Sequence, residues 1–301
     1  MRFAVTGGAG FIGSYISKLL LEKDHDVLVL DNMHTGKKEN LHNSNKLEFF
    51  QVDVRDYKIL ENQLHGVDGI FHEAGLTLVP ESFEKPDEYH DVNVNGTENI
   101  FKISKKLGVK VVYASSSSVY GKTEKIPIKE NDPKNPMNPY GKTKVEKDNL
   151  AEKFSKEGCS IIGLRYFNVF GKGQTGTYAG VIAKFLESLK NKTAPVIYGD
   201  GKQVRDFISV EDVASANLQA MLSDTKYGFF NIGTGVPTTI LELAELMIRI
   251  SNYHIKPIFK EARRGDVKLS QADLVNSQKY LNWHSEIKLE EGLKKLMNEI
   301  L

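Results

Sequence analysis

The first thirty-one residues constrain this fold more than any other stretch. Phe3-Ala4-Val5-Thr6 is a short apolar strand. Gly7, Gly8, Gly10 and Gly13 follow it as G-G-x-G-x-x-G, and Ile12, Ile16, Leu19 and Leu20 then recur at helical spacing. Val27 to Leu30 is a second strand, and Asp31 stands at its end. Strand, glycine turn, helix and strand in this order make a βαβ unit suited to a dinucleotide. Gly7 permits the tight turn, Gly10 lets the backbone approach a pyrophosphate, and Gly13 lets the helix pack closely on the strand. The helix N-terminus offers unpaired N–H groups and the positive end of its dipole to phosphate. Asp31 is placed to hold a ribose diol, which favours NAD over a 2′-phosphorylated cofactor.

Composition narrows the partners. Over 301 residues the formal net charge is +1, so nothing in it calls for nucleic acid or an anionic membrane surface. Cys159 is the one cysteine, which rules out an internal disulfide and fits a reducing compartment. No apolar run approaches the length of a membrane span, and a first strand at residue 3 leaves no room for a signal peptide. The expected location is the cytoplasm.

Strand-like and helix-like segments alternate after Asp31. Glu48–Val52, Gly69–His72, Val109–Ala114 and Ser160–Arg165 read as strands. Tyr57–Leu64, Pro86–Leu107 (with an interruption at Gly96) and Tyr140–Lys156 read as helices. The alternation predicts an α/β fold with a doubly wound parallel sheet, the Rossmann type. From Asn168 the pattern changes. Gly171–Gly180 must be loop, Arg205–Ser209, Tyr227–Ile232 and Ile255–Phe259 read as strands, and Thr239–Ser251 reads as an amphipathic helix. The expected organisation is a cofactor domain over residues 1–167, rejoined by 204–235. A smaller α/β substrate lobe would then comprise 168–203 and 236–301.

Tyr140 and Lys144 are four apart on the helix that follows a serine-tipped strand. Positions i and i+4 share a helix face, and an ammonium beside a phenol favours phenolate. That pairing makes a proton-transfer group. Ser115 to Ser118 end the preceding strand at the carboxyl edge, where sites of such sheets form. His72 ends a strand and reads as a hydrogen-bonded structural residue. The remaining histidines lack metal-ligand spacing, so no metal site is expected. Arg205, Arg263 and Arg264 are candidate phosphate clamps, because a guanidinium donates in a charged fork.

Together these motifs resemble the extended short-chain dehydrogenase/reductase family, and within it the nucleotide-sugar 4-epimerases. The resemblance rests on T-G-G-A-G-F-I-G (Thr6–Gly13), L-D-N (Leu30–Asn32), D-V-R-D (Asp53–Asp56), H-E-A-G (His72–Gly75) and A-S-S-S-S-V-Y-G (Ala114–Gly121). It continues through P-Y-G-K-T-K (Pro139–Lys144), R-Y-F-N-V-F-G (Arg165–Gly171), G-D-G-K-Q-V-R-D-F (Gly199–Phe207), N-I-G-T-G (Asn231–Gly235) and R-R-G-D-V (Arg263–Val267). It implies an isomerase that uses NAD and a UDP-sugar, with Ser116, Tyr140 and Lys144 catalytic. It implies cofactor contacts at Gly7, Gly10, Phe11, Ile12, Gly13, Asp31, Asn32, Asp53, Val54, Ala74 and Lys144. Contacts to the UDP-sugar fall to Asn168, Tyr198, Arg205, Arg263 and Asp266. Ser270, four residues after Asp266, matches a position whose bulk decides whether a 2-acetamido group fits; serine there implies UDP-GlcNAc/UDP-GalNAc as well as UDP-Glc/UDP-Gal. Relatives usually form homodimers through two long helices, here around Tyr89–Leu107 and Tyr140–Lys156. Thr77 departs from the lysine of longer epimerases. Ser116-Ser117-Ser118 departs from the Thr-Asp-Glu of sugar dehydratases and removes that reaction's acid and base. A UDP-glucuronate 4-epimerase, a deoxysugar oxidoreductase drawing on Lys37 and Lys38 for a 2′-phosphate, and a non-enzymatic nucleotide sensor are the competing readings.

Overall fold

The computed structural model describes residues 1–174, 180–262 and 267–301. The first half of the chain runs β1 (Arg2–Thr6), α1 (Phe11–Glu22), β2 (Asp26–Asp31), β3 (Leu47–Gln51), α2 (Tyr57–Gln63), β4 (Gly69–His72), α3 (Val79–Glu84) and α4 (Pro86–His90). A π-helical turn (Asp91–Asn95) leads into α5 (Gly96–Leu107), β5 (Lys110–Ser116), α6 (Pro139–Lys156) and β6 (Ile161–Tyr166). The second half contains β7 (Asn168–Phe170), α7 (Val181–Lys190), β8 (Val196–Tyr198), β9 (Val204–Arg205), β10 (Phe207–Ser209) and α8 (Val210–Leu222). It ends with β11 (Tyr227–Ile232), β12 (Thr238–Thr239), α9 (Ile240–Ser251), β13 (Ile258–Lys260), α10 (Val275–Leu281) and α11 (Leu289–Ile300).

Seven strands form one parallel sheet in the order β11-β6-β5-β4-β1-β2-β3. Strand order reverses between β1 and β4, so a crevice opens there at the carboxyl edge. Alternate side chains face opposite layers. Phe3 and Val5 join Ile16, Leu20, Val213 and Met221 on the α1/α8 side. Ala4 joins Ile70, Ile100, Phe101, Tyr113 and Phe154 on the α5/α6 side. Because both faces are covered, the central strands read as continuous apolar runs rather than alternating ones. A separate core of Phe185, Leu189, Ile197, Leu243, Met247, Leu293 and Leu296 unites α7, α9 and α11. Three two-stranded ladders, β7–β10, β9–β12 and β8–β13, connect the remaining segments. Among the described residues no helix is long and apolar enough to cross a membrane.

Several local expectations differ from the structure. The break in the Pro86–Leu107 helix is the π turn at Asp91–Asn95, not Gly96, and it carries the fully buried Asn93. Arg205–Ser209 is two strands rather than one, because Asp206 leaves the ladder to bind three backbone N–H groups. The strand expected at Ile255–Phe259 is Ile258–Lys260. β7, α3 and α10 have no counterpart in the sequence reading. β7 is three residues long and exists by parallel pairing with β10, which local periodicity does not report.

Candidate active site

The glycine turn has little freedom. Gly7 sits at φ +69°, and a Cβ there would lie 2.7 Å from the Ala74 nitrogen. A Cβ on Gly13 would lie 2.2 Å from the Gly7 carbonyl oxygen, so α1 can approach β1 only without one. Gly10 caps α1 without a side-chain hydrogen bond, leaving the helix N-terminus open to a ligand.

Asp31 is buried at the tip of β2, where Oδ2 accepts from the Ala9 N–H (3.0 Å) and Oδ1 from the Met33 N–H (2.8 Å). The carboxylate is thus held at the turn before any ligand arrives. Beside it, the Asn32 amide donates to Asp53 (2.9 Å), and Arg55 clasps Asp53 through Nε (2.8 Å) and Nη2 (2.9 Å). That guanidinium holds the Asp53 carboxyl well below the usual carboxylate range.

The other end of the crevice is set by β5 and α6. The Asn138 side chain caps α6 by accepting from the Gly141 N–H (2.7 Å), and Pro139 occupies the first helical turn, where a missing N–H costs nothing. The helix then lies across β5. Lys144 is buried, donates to the Ala114 carbonyl (2.9 Å) and has its nitrogen 5.4 Å from the Tyr140 ring centroid. Ser116 Oγ accepts from the Ser118 N–H (3.1 Å), which leaves its own proton to donate outward.

One buried ion pair fixes the register of helix on strand. Asp148 accepts from Arg165 Nε (3.0 Å) and Nη2 (2.8 Å), the Tyr113 hydroxyl (2.8 Å) and the Ser115 hydroxyl (2.8 Å). Ser115 neighbours Ser116, and Asp148 is one turn beyond Lys144, so this knot locates both. His72 is structural, as expected: Nδ1 lies 2.7 Å from the Thr6 hydroxyl and Nε2 2.8 Å from Thr97. Burial pushes its pKa well below the ordinary histidine value.

A single cavity of about 730 Å³ joins the two ends. Its wall includes Gly7, Gly10, Phe11, Ile12, Gly13, Asp31, Asn32, Val54 and Ala74 at one end, and Ser116, Tyr140, Lys144 and Asn168 at the other. Thr77 also lines it, where the longer epimerases are expected to carry lysine. Asp53, Tyr198, Arg205 and Ser270 do not line it, whereas Arg55 does. Arg263, Arg264 and Asp266 lie outside the described residues. Glu73, inside the H-E-A-G motif, lines the cavity too, and nothing in its sequence neighbourhood signals that role.

An open helix N-terminus, a Cβ-free cradle and an anchored acid in one elongated cavity fit a dinucleotide with a free ribose diol. Residues 3–233 match the family described as the NAD dependent epimerase/dehydratase family. The chain belongs to that family. As a member of it, the chain resembles a Methanocaldococcus jannaschii protein that carries a provisional UDP-glucose 4-epimerase name. That protein is 39% identical over 300 residues, with 98% of this chain and 96% of the relative covered. Among solved structures it is similar to a UDP-glucose 4-epimerase from Thermotoga maritima with UDP-glucose. The TM-score is 0.94 at 36% identity, covering 99% and 98% of the two chains. It is also similar to a UDP-N-acetylglucosamine 4-epimerase from Methanobrevibacter ruminantium in complex with UDP-N-acetylmuramic acid. There the TM-score is 0.93 at 36% identity, covering 99% and 97%. The cavity thus has two chemically distinct ends, an anchored acid beside the glycine turn at Asp31 and a phenol beside an ammonium at Tyr140 and Lys144.

Proposed function

We propose that this chain interconverts UDP-hexoses at C4, accepting UDP-GlcNAc/UDP-GalNAc and UDP-Glc/UDP-Gal. The observation that carries the reading is that Tyr140, Lys144 and Ser116 meet in the cavity that begins at the glycine turn. When bound, NAD supplies a reversible two-electron oxidation of the sugar carbon. Tyr140 takes the proton of the 4-hydroxyl as C4 is oxidised and returns it on reduction. Ser116 donates its free proton to the same oxygen and steadies charge developing there. Lys144, fixed on Ala114, keeps positive charge beside Tyr140. Inversion requires the 4-keto sugar to present its other face, so the chain must hold the UDP and leave the hexose loosely held. We assign UDP retention to Asn168, Arg205 and Arg263, with Tyr198 beside the base and Asp266 at the ribose.

Two observations bear on the sugar. Among the described residues lining the cavity, the lysines and arginines are Lys37, Arg55 and Lys144. Lys37 donates from its backbone to Ala9 and Arg55 clasps Asp53, so both belong to the adenosine end. Neutral hexoses therefore suit the described wall better than a hexuronate, whose carboxylate needs its own cation. Ser270 is small and buried but does not line the described cavity, so its assignment as the acetamido gate rests on its place four residues after Asp266. The test is Ser270→Tyr assayed on both substrate pairs. Acetamido activity should collapse while plain-hexose activity persists; equal losses, or none, overturn the specificity assignment. The proposal includes a homodimer built on α5 and α6, checked by light scattering of the purified chain.

A further inference from the structure

Glu73 follows β4, yet its side chain serves the reacting end of the cavity. Oε1 accepts from the Tyr166 hydroxyl (2.9 Å) at the tip of β6, two strands away in the sheet. The Asn217 amide on α8 donates to the same hydroxyl (2.8 Å) and fixes it from below. Glu73 thus lies across the tip of β5, where Ala114 and Ser116 also line the cavity. Two lysines of α6 act on it electrostatically, Lys144 and Lys147. Lys147 is fully buried and its Nζ has no hydrogen-bond partner. The other acids on the cavity wall belong elsewhere. Asp31 is tied to the glycine turn, Glu81 is bound by Lys85 and Tyr89, and Glu88 lies 3.7 Å from the Lys85 ammonium.

NAD+ and NADH differ at the nicotinamide by one unit of positive charge. Any fixed charge beside the ring therefore biases the ratio in which the two forms bind, and more so away from water. The ring has to reach the carbon whose hydroxyl Tyr140 and Ser116 handle, which brings it to the end where Glu73 lies. Lys144 opposes the cationic ring there, and a carboxylate offsets it.

We propose that Glu73 sets the redox preference of this site, its carboxylate favouring the oxidised, cationic nicotinamide over the neutral reduced one. The inference rests on the NAD-dependent epimerase reading and adds a residue role to it. An epimerase that returns every electron pair to its sugar works only while the resting cofactor stays oxidised. Burial pushes the Glu73 carboxyl up to about 7, with the Tyr166 bond and the two lysines pulling it back. A carboxyl so poorly solvated responds strongly to a cation arriving beside it.

The test equilibrates the holoprotein with an equimolar excess of NAD+ and NADH at pH 8. Protein is then separated by gel filtration, and the bound forms are quantified after denaturation. Glu73→Gln keeps the shape and the acceptor for Tyr166 but removes the charge. It should move the bound ratio at least about tenfold toward NADH, equivalent to about 30 mV for a two-electron couple. Glu73→Leu should move it in the same direction. Tyr166→Phe removes a bond that helps keep the carboxyl ionised, so at pH 8 it should shift the ratio in the same direction by less than Glu73→Gln. An unchanged ratio in both Glu73 variants, or a shift in Tyr166→Phe that exceeds theirs, overturns the proposal. No sugar nucleotide enters this measurement, so a wrong substrate assignment leaves its outcome untouched.

Discussion

The glycine-turn end of the cavity and the segment around Asp206 are built differently. At the cofactor end, neighbouring residues meet through backbone geometry. Gly7 donates to Leu30, Gly10 donates to Gly7, and Asp31 receives Ala9 and Met33. In the second half of the chain, outside the cavity wall, residues far apart in sequence are gathered by a buried carboxylate. Asp206 accepts from the N–H groups of Thr234 (2.7 Å), Gly235 (2.9 Å) and Ala272 (3.1 Å), tying β9–β10 to the loops after β11 and before α10. Arg205 takes part in the same stitching, donating from Nη1 to the carbonyls of Val204 (2.9 Å) and Val267 (2.6 Å). The glycine-turn end is therefore held by backbone groups of adjacent strands, and the Asp206 segment by one satisfied carboxylate. The Asp148–Arg165 pair holds α6, which carries Tyr140 and Lys144, against β5, which ends at Ser116.

That comparison can be broken at its centre. Arg165→Met leaves Asp148 buried without its guanidinium partner, and losing one member of such a pair costs about 3–5 kcal/mol. Both side chains are fully buried, so solvent cannot compensate. Chemical denaturation should show a loss of that size; a loss under about 1 kcal/mol would mean that the knot does not carry the register. Tyr140→Phe should keep the fold, since the ring stays, and should lower turnover at least about 10²-fold. Near-normal turnover in pure variant protein would remove Tyr140 from the chemistry.

Arg205→Ala sharpens the contrast between the ends. It should raise KM for the UDP-sugar about tenfold with a smaller change in kcat, the signature of lost binding shared by ground and transition states. Retained NAD should be unaffected; simultaneous loss of NAD would show that the two ends are one unit. The smallest effect is a pH dependence from His72. Its folded pKa is depressed, so the unfolded chain binds a proton that the folded chain does not. Stability should therefore fall as pH drops below about 6.5, by up to about 1.4 kcal/mol per pH unit. The slope should lessen by that amount in His72→Gln, and an identical slope in the two proteins would locate the acid sensitivity elsewhere.

Much of this architecture was legible one residue at a time. Gly7, Gly13 and Asp31 were readable because their jobs are local: a positive φ, a helix pressed on a strand, and an acid at the next strand's tip. Tyr140 and Lys144 were readable because four residues of helix always place two side chains on one face. Likewise, continuous apolar strands announced a sheet covered on both sides. The substrate end was not legible in this way. β7 exists only because β10 lies beside it, Asp206 looks in sequence like any acid before an aromatic residue, and Ser270 does not line the cavity. Glu73 was hidden for the same reason, since nothing near it in sequence says that it reaches Tyr166, 93 residues further on. Local propensity and spacing determined the βαβ core and the catalytic pair. Which distant side chains meet was decided only when parallel strands, whose pairing is non-local, brought their carboxyl ends to one edge.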